Sequence, residues 1–278
     1  MTKKRLAEET MHLFDHYDLT GAVIRILDDE PHSLNELLDD KHQQDPDQIL
    51  PFAYTCCYIH HRGRHVMVDG GLDGDEVIAG LSELGVSPDA VELVLITHVD
   101  RDHVAGLILQ VGDGELTYPN AQYAIDVGLW AELQKDETYH ELPGHLRRLF
   151  KALVARLQGR VILCDGETEI GTERGAPDGI TFVPCPGHRP GHAAYEFKTD
   201  GTPVIHTGDA FFHPVFIEHP DWPVTGDSHP TQAVESRKAL IARIAERDAL
   251  MLGTHFPWPG LGLLLLDADE VVWNAIQQ

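Results

Sequence analysis

The stretch Thr97-His98-Val99-Asp100-Arg101-Asp102-His103 constrains this chain more than any other. It follows Val91-Glu-Leu-Val-Leu-Ile96, an apolar run that reads as a buried strand, and precedes Val104-Ala-Gly-Leu107, the apolar start of a helix. A tight strand-to-helix loop aims the side chains of 98, 100 and 102 at a common point, and His103 adds a fourth group of metal-ligand type. The bland alternative is a polar turn with Asp102 as the N-cap of the helix that follows. Three later segments argue against it. Pro184-Cys-Pro-Gly-His188-Arg-Pro-Gly-His192 sets two histidines four apart in a loop between strands, while Thr207-Gly208-Asp209 and Gly253-Thr254-His255 each end a strand on a small residue and a ligand. Strand, small residue, ligand: the repeated pattern gathers His and Asp at neighbouring strand ends of a layered α/β fold.

Along the chain, Ala22–Leu27 reads as a leading strand and residues 39 to about 48 as a mobile stretch. Ala53–Ile59 and His65–Val68 form a hairpin, Gly74–Leu84 a helix, and residues 126 to 157 have helical spacing. Pro230 opens a long helix with Val234, Ile241, Ile244 and Ala245 on one face. The expectation is one α/β domain over 1–278, with 1–48 as its leading strand and mobile segment.

Charge and composition narrow the partners. Forty-five acidic residues against 21 basic ones give a formal net charge of -24, which repels nucleic-acid phosphates and anionic membrane surfaces. Such acidity suits a high-salt interior as well as an ordinary one. No apolar run is long enough to span a bilayer and no secretory signal opens the sequence, so a cytoplasmic protein is expected. A small-molecule substrate, with at most a second copy of the chain as protein partner (a homodimer), fits these exclusions. Four cysteines without a C-x-x-C spacing make neither a disulfide framework nor a cysteine-type zinc site. The 18 histidines are the anomaly, since histidine is the commonest metal ligand.

Taken together, these motifs resemble the metallo-β-lactamase superfamily, whose ligand string runs H-x-H-x-D-H, then a His in a P-G-H segment, an Asp in a G-D segment, and a late His. The resemblance covers about residues 51 to 260, including Val68-Asp69-Gly70-Gly71 as the family's early strand and turn. It implies a four-layer αββα sandwich with two divalent metal ions at one edge. The ligands it implies are His98, Asp102, His103, His188, Asp209 and His255, with Asp100 standing where the family has its second histidine. His98, His188 and Asp100 would hold one ion, Asp102, His103 and His255 the other, and Asp209 would bridge them. A hydroxide between the ions would attack a carbonyl or phosphoryl centre, with Asp102 orienting it or carrying protons. Zinc is the expected metal. Asp100 makes the centre one positive charge poorer than the family's, and its harder oxygen favours iron or manganese relative to imidazole.

Phe211-Phe-His-Pro214, His219-Pro-Asp-Trp222 and Thr254–Gly262 look closest to the methyl-parathion-hydrolase-like and quorum-quenching-lactonase-like branch. Those lactonases carry a Tyr three residues after the bridging Asp. Here that place holds Phe212, which has no proton to give, and His213 is the neighbour that could substitute. His192 is expected beside the centre rather than on a metal. Trp222 and Phe256, with Phe211 and Trp258, are read as either an apolar substrate wall or core. His12, His16, His32, His42, His140 and His145 are expected to be solvated, and His60, His61 and His65 to lie at the surface of their hairpin. The reading is a metal-dependent hydrolase of an ester, lactone or related small electrophile. Two alternatives stand beside it: a non-haem iron redox enzyme of flavodiiron or sulfur-dioxygenase type, and a binding protein with a degenerate site.

Overall fold

Alternation along the strands decides the architecture. In the computed structural model, which describes residues 10–27, 32–38, 49–109, 114–140, 142–171, 178–267 and 270–276, almost every central strand buries both of its faces. The chain runs β1 (Met11–His16), β2 (Leu19–Leu27), β3 (His32–Ser33), α1 (Leu34–Leu37), β4 (Ile49–Leu50), β5 (Tyr54–His61), β6 (Arg64–Val68), α2 (Gly74–Glu83), β7 (Val91–Leu95) and α3 (Arg101–Val104). It continues with β8 (Gln122–Asp126), α4 (Val127–Leu133), α5 (Gly144–Leu157), β9 (Val161–Cys164), β10 (Thr168–Ile170), β11 (Ile180–Pro184), β12 (Ala193–Phe197) and β13 (Val204–His206). Last come α6 (Val215–Glu218), α7 (Pro230–Glu246), β14 (Leu250–Leu252), β15 (Leu261–Asp267) and β16 (Glu270–Ala275).

Two seven-stranded sheets result, one ordered β1-β2-β5-β6-β7-β8-β9 and the other β10 to β16 in sequence order. Parallel neighbours need crossovers, and helices supply them: α2 leads from β6 to β7, α4 and α5 from β8 to β9, α7 from β13 to β14. Side chains on successive residues then separate into three cores. Ala22, Ile24, Cys56, Tyr58, Met67, Val94, Tyr123 and Ile125 of the first sheet pack under Val77, Leu81, Leu129, Leu149 and Leu153 of its helices. Their neighbours in sequence, Val23, Cys57, Ile59, Val66, Val68, Leu93, Leu95 and Ala124, point the other way and meet Ile180, Phe182, Tyr195, Phe197, Val204, Leu250 and Leu252 of the second sheet. Behind that sheet, Val183, Ala194, Ile205 and Met251 lie against Phe216, Ile217, Leu240, Ile241 and Ile244. Three apolar seams between four layers are the αββα sandwich.

Polar ties cross the middle seam at both ends. At one, the Tyr195 hydroxyl donates to the Ile96 carbonyl (2.9 Å), and the Ala193 N–H donates to the Thr97 carbonyl (3.0 Å). At the other, His16 Nε2 donates to the Thr202 carbonyl (2.9 Å), the Asp200 N–H to Asp18 Oδ1 (2.8 Å), and His61 Nε2 to the Asp178 carbonyl (3.2 Å). His61 is fully buried and His16 half-buried, so neither is the surface histidine its sequence context suggests. Both are fasteners at the end remote from the ligand motifs.

Other expectations need adjusting. The leading strand is preceded by β1, which pairs with it through a tight turn. The helical spacing over 126 to 157 covers two helices with a break between them. The buried face of α7 runs through Ala233, Arg237, Leu240, Ile241 and Ile244, so an arginine sits at the centre of an otherwise apolar stripe, with Val234 and Ala245 only partly covered. The run Leu261–Leu266 and the residues after it form a C-terminal hairpin, β15–β16. The stretch 39–48, expected to be mobile, and His42 within it, lie outside the described residues. Among the described residues, no helix is long and apolar enough to cross a membrane.

Candidate metal centre

The ligand motifs meet where strands of both sheets end. From the first sheet come Asp69, just past β6, and the loop from Thr97 into α3. From the second come the β11–β12 loop with His188 and His192, the end of β13 with Gly208 and Asp209, and the end of β14 with His255. The helix after the first motif starts at Arg101, which makes Asp100, not Asp102, its N-cap residue, and Asp100 makes no capping bond. Its carboxylate is turned into the centre instead. Gly208 is required before Asp209: its φ is +51°, and a Cβ there would lie 2.8 Å from His192 Nε2.

Asp209, fully buried, occupies the middle. Its Oδ1 lies 3.2 Å from His103 Nε2, and its Oδ2 lies 3.1 Å from His255 Nε2, 3.7 Å from His188 Nε2 and 3.8 Å from His98 Nε2. Two triads flank it. In the first, Asp100 Oδ2 is 3.5 Å from His188 Nε2 and 3.7 Å from His98 Nε2. In the second, Asp102 Oδ2 is 3.4 Å from His255 Nε2 and 3.7 Å from His103 Nε2. Within each triad the candidate ligand atoms lie inside 4.8 Å of one another.

The outer nitrogens fix which way each ring is used. His103 Nδ1 donates to Asp69 Oδ2 (2.7 Å), His255 Nδ1 to the Ala53 carbonyl (2.9 Å), His188 Nδ1 to Asp227 Oδ1 (3.3 Å) and His98 Nδ1 to Thr97 Oγ1 (3.0 Å). The Thr97 hydroxyl in turn donates to Asp69 Oδ2 (2.7 Å). With every Nδ1 engaged, four Nε2 lone pairs converge on one space. His98, His103 and His188 Nε2, along with Asp209 Oδ1, are buried without a hydrogen-bond partner. Buried polar atoms are rarely left that way, and an imidazole tied through its other nitrogen to a carboxylate or carbonyl is the usual dress of a metal ligand. The donor set therefore fits divalent cations.

Charge agrees with geometry. Burial pushes the imidazoles of His103 and His255 down, but carboxylates outweigh it: Asp209, Asp102 and Asp69 hold His103 well above the ordinary histidine range, and Asp209 and Asp102 bring His255 up to about 9. Burial raises Asp209 and Asp102, yet the neighbouring imidazoles keep Asp209 well below the carboxylate range and Asp102 at about 2. Ionised carboxylates gathered around buried Asp209 make a field that calls for positive charge.

Four supporting residues escaped the sequence reading. Asp69 was visible only as part of a turn; it takes a left-handed φ of +59° and accepts from the Thr97 N–H (2.8 Å) as well as from His103. Asp227 is buried between His188 and Arg237, whose Nη1 donates to it at 3.1 Å. Ala53 offers only a carbonyl, which no side-chain pattern reveals. Arg189 is the fourth: Nε donates to Asp100 Oδ1 and Nη2 to Asp100 Oδ2, both at 2.7 Å. This two-pronged pair returns the positive charge that Asp100 removes, which corrects the charge deficit inferred from Asp100 alone.

The remaining candidates divide. His192 touches no ligand space: Nδ1 donates to the Cys185 carbonyl (3.0 Å) and Nε2 accepts from the Asp209 N–H (2.9 Å), so it holds the backbone of Asp209. Phe212 stacks parallel to the His255 ring (5.9 Å) and edge-on to His188 (5.0 Å), roofing the centre together with Phe52, which stacks on His255 at 4.3 Å. His32 packs edge-on against Phe52 (4.8 Å), near the centre rather than simply solvated. His213 accepts from the Val215 N–H (3.2 Å), and burial pushes its pKa down to about 4, so it is a helix-end acceptor. Phe256 and Phe211 are fully buried core, Phe256 against Trp273, and Trp222 stacks on His219 at the edge of the same core. Trp258 packs against the middle seam with Arg25 over its ring. Full burial makes Phe211 and Phe256 core rather than substrate wall.

The sequence family described as the Metallo-beta-lactamase superfamily matches residues 50–255. Two curated proteins named probable metallo-hydrolase, from Mycobacterium bovis and Mycobacterium tuberculosis, are each 27% identical over 158 residues, 54% of this chain and 46% of theirs. The chain thus matches over about half the length of these relatives. Among solved structures, the hydrolase AbOPH of the beta lactamase superfamily superposes with a TM-score of 0.77 at 20% identity, and the dizinc quorum-quenching lactonase AidC with 0.77 at 19%. Each comparison covers 97% of this chain and 98% of the other.

Proposed function

The chain belongs to the metallo-beta-lactamase superfamily, and on that footing we propose that it is a metal-dependent hydrolase of a small ester, lactone or related electrophile. The observation that carries this reading is the convergence of four Nε2 atoms, each ring tied at Nδ1, on the carboxylates of Asp100, Asp102 and Asp209. His98, Asp100 and His188 would hold one ion, Asp102, His103 and His255 a second, with Asp209 shared. Zinc suits a set so rich in imidazole. Divalent ions held there would lower the pKa of bound water and polarise the substrate's carbonyl or phosphoryl oxygen.

The chain's own groups do the rest. Asp209, held through its N–H by His192, turns Oδ1 to His103 and Oδ2 to His255, His188 and His98, so its carboxylate serves both triads. Asp102, with its side chain 24% exposed, faces both the centre and the solvent, and is placed to accept a proton from attacking water and pass it outward. Phe212 and Phe52 screen one side of the centre from water and offer ring faces to an apolar acyl or ring portion of a substrate. Phe212 has no hydroxyl to offer a substrate carbonyl, unlike lactonases with a Tyr there, so that polarisation would fall to ions held by the two triads. The fold likeness to AidC, solved with its product N-hexanoyl-L-homoserine, supports testing lactones first.

The deciding experiment is elemental analysis of the purified protein joined to a panel of lactones, aryl esters and phosphotriesters. Metal-dependent hydrolysis abolished by chelation and restored by zinc is expected. Metal-loaded protein inert across the panel, but consuming oxygen in an iron-dependent way, would overturn the hydrolase reading.

A further inference from the structure

Arg189 stands beside one candidate ligand, His188, and grips another, Asp100. All three of its nitrogens are engaged, across three loops. Nε and Nη2 take both oxygens of Asp100, and Nη1 reaches the carbonyls of His188 (2.9 Å) and Gly226 and the hydroxyl of Ser228 (3.4 Å). A guanidinium so held cannot swing away when a cation arrives. The oxygen of Asp100 that faces His98 and His188 is the one bound to Nη2. A cation in the first triad therefore shares its only carboxylate, apart from Asp209, with a fixed positive charge. The other acid on that side is shared too, because Asp227 behind His188 is paired with buried Arg237. On the far side, neither Asp102 nor Asp69 pairs with an arginine or lysine among the described residues.

We propose that Arg189 makes the centre asymmetric: the second triad with Asp209 binds one ion tightly, and the first triad binds its ion weakly, as a separate step set by the Asp100–Arg189 pair. This rests on the assignment of the two triads as metal sites. Arg189 is a positioning residue here, acting on the first ion through Asp100.

The test is calorimetric titration of the metal-free full-length protein with zinc, read beside metal content after dialysis. The native chain should show two resolved steps and keep about one ion per chain through dialysis. Arg189→Met, which removes the charge but keeps the stem, should tighten the weak step by about tenfold or more (about 1.4 kcal/mol) while the tight step stays put, because a unit positive charge a few ångströms from the ion is gone. Arg189→Lys, which keeps the charge, should leave the weak step near its native value. Two equally tight ions in the native chain, or an unmoved weak step in Arg189→Met, would overturn the proposal while leaving the hydrolase reading intact. Absence of any zinc binding would instead remove the assignment on which both rest.

Discussion

The two triads look alike in composition and differ in what stands behind them. Each has two imidazoles and one carboxylate around Asp209. Behind the second, Asp69 gives His103 a carboxylate at 2.7 Å that no arginine or lysine among the described residues shares, and Ala53 gives His255 a carbonyl at 2.9 Å. Behind the first, His98 leans on a hydroxyl, His188 on a carboxylate 3.3 Å away that also serves Arg237, and Asp100 is gripped by Arg189. Donor lists alone would score the two sites as equals. The groups one bond further out decide how much electron density each donor still has to give.

The largest effect should come from Asp209→Ala, which removes the oxygens both triads share. Both ions and all turnover should disappear together in plasma mass spectrometry and assay, and full activity with metal retained would break the comparison at its root. Asp227→Ala comes next. It leaves Arg237 buried without its partner, so we expect about 3 kcal/mol or more of lost stability in denaturant unfolding, with metal loss confined to the first triad. Asp69→Asn attacks the other side. Weakening the acceptor behind His103 should lower affinity for the tighter ion by about 10- to 100-fold, with a smaller change in the weaker one, which Asp69 reaches only through the Thr97 hydroxyl and His98. A reversed pattern between these two variants would show that the triads are misassigned.

Finer contrasts follow. Asp100→His combined with Arg189→Met should raise zinc retention toward two ions per chain, because it swaps a shared carboxylate for an unshared imidazole. Asp100→His alone should fall short, since the guanidinium would then face the ion without a counter-charge. The smallest effect is expected from Phe212→Tyr, whose ring already stacks on His255. A rise of a few fold in lactone turnover would mark a gain of about 1 kcal/mol in transition-state binding, and none would count against lactones as substrates.

Much of this was legible in the chain. The β-strand runs around Cys56–Ile59 and Val91–Leu95 were readable because each buries both faces, and the seven candidate ligands because each follows a strand end. What escaped depends on neighbours brought in by the sheets. Asp69 lies 34 residues from His103, and Asp227 39 from His188; no local period links such pairs. Arg237 was hidden for the opposite reason, as a charge at the centre of a helix face that hydropathy would draw around Val234 and Ala245. His16 reads as solvated and His61 as a surface residue of its hairpin because their partners, Thr202 and Asp178, arrive from the other sheet.

Those remote fasteners carry one more implication. The seam is stitched at Tyr195 and Thr97 beside the ligands, and again at His16, Asp18 and His61 at the opposite rim. The ligands come from both sheets, so the spacing of the two triads is a vernier set by how one sheet is staggered on the other. With the near rim pinned independently, turns at the far rim can be lengthened, recharged or adapted to a saltier solvent without resetting that vernier.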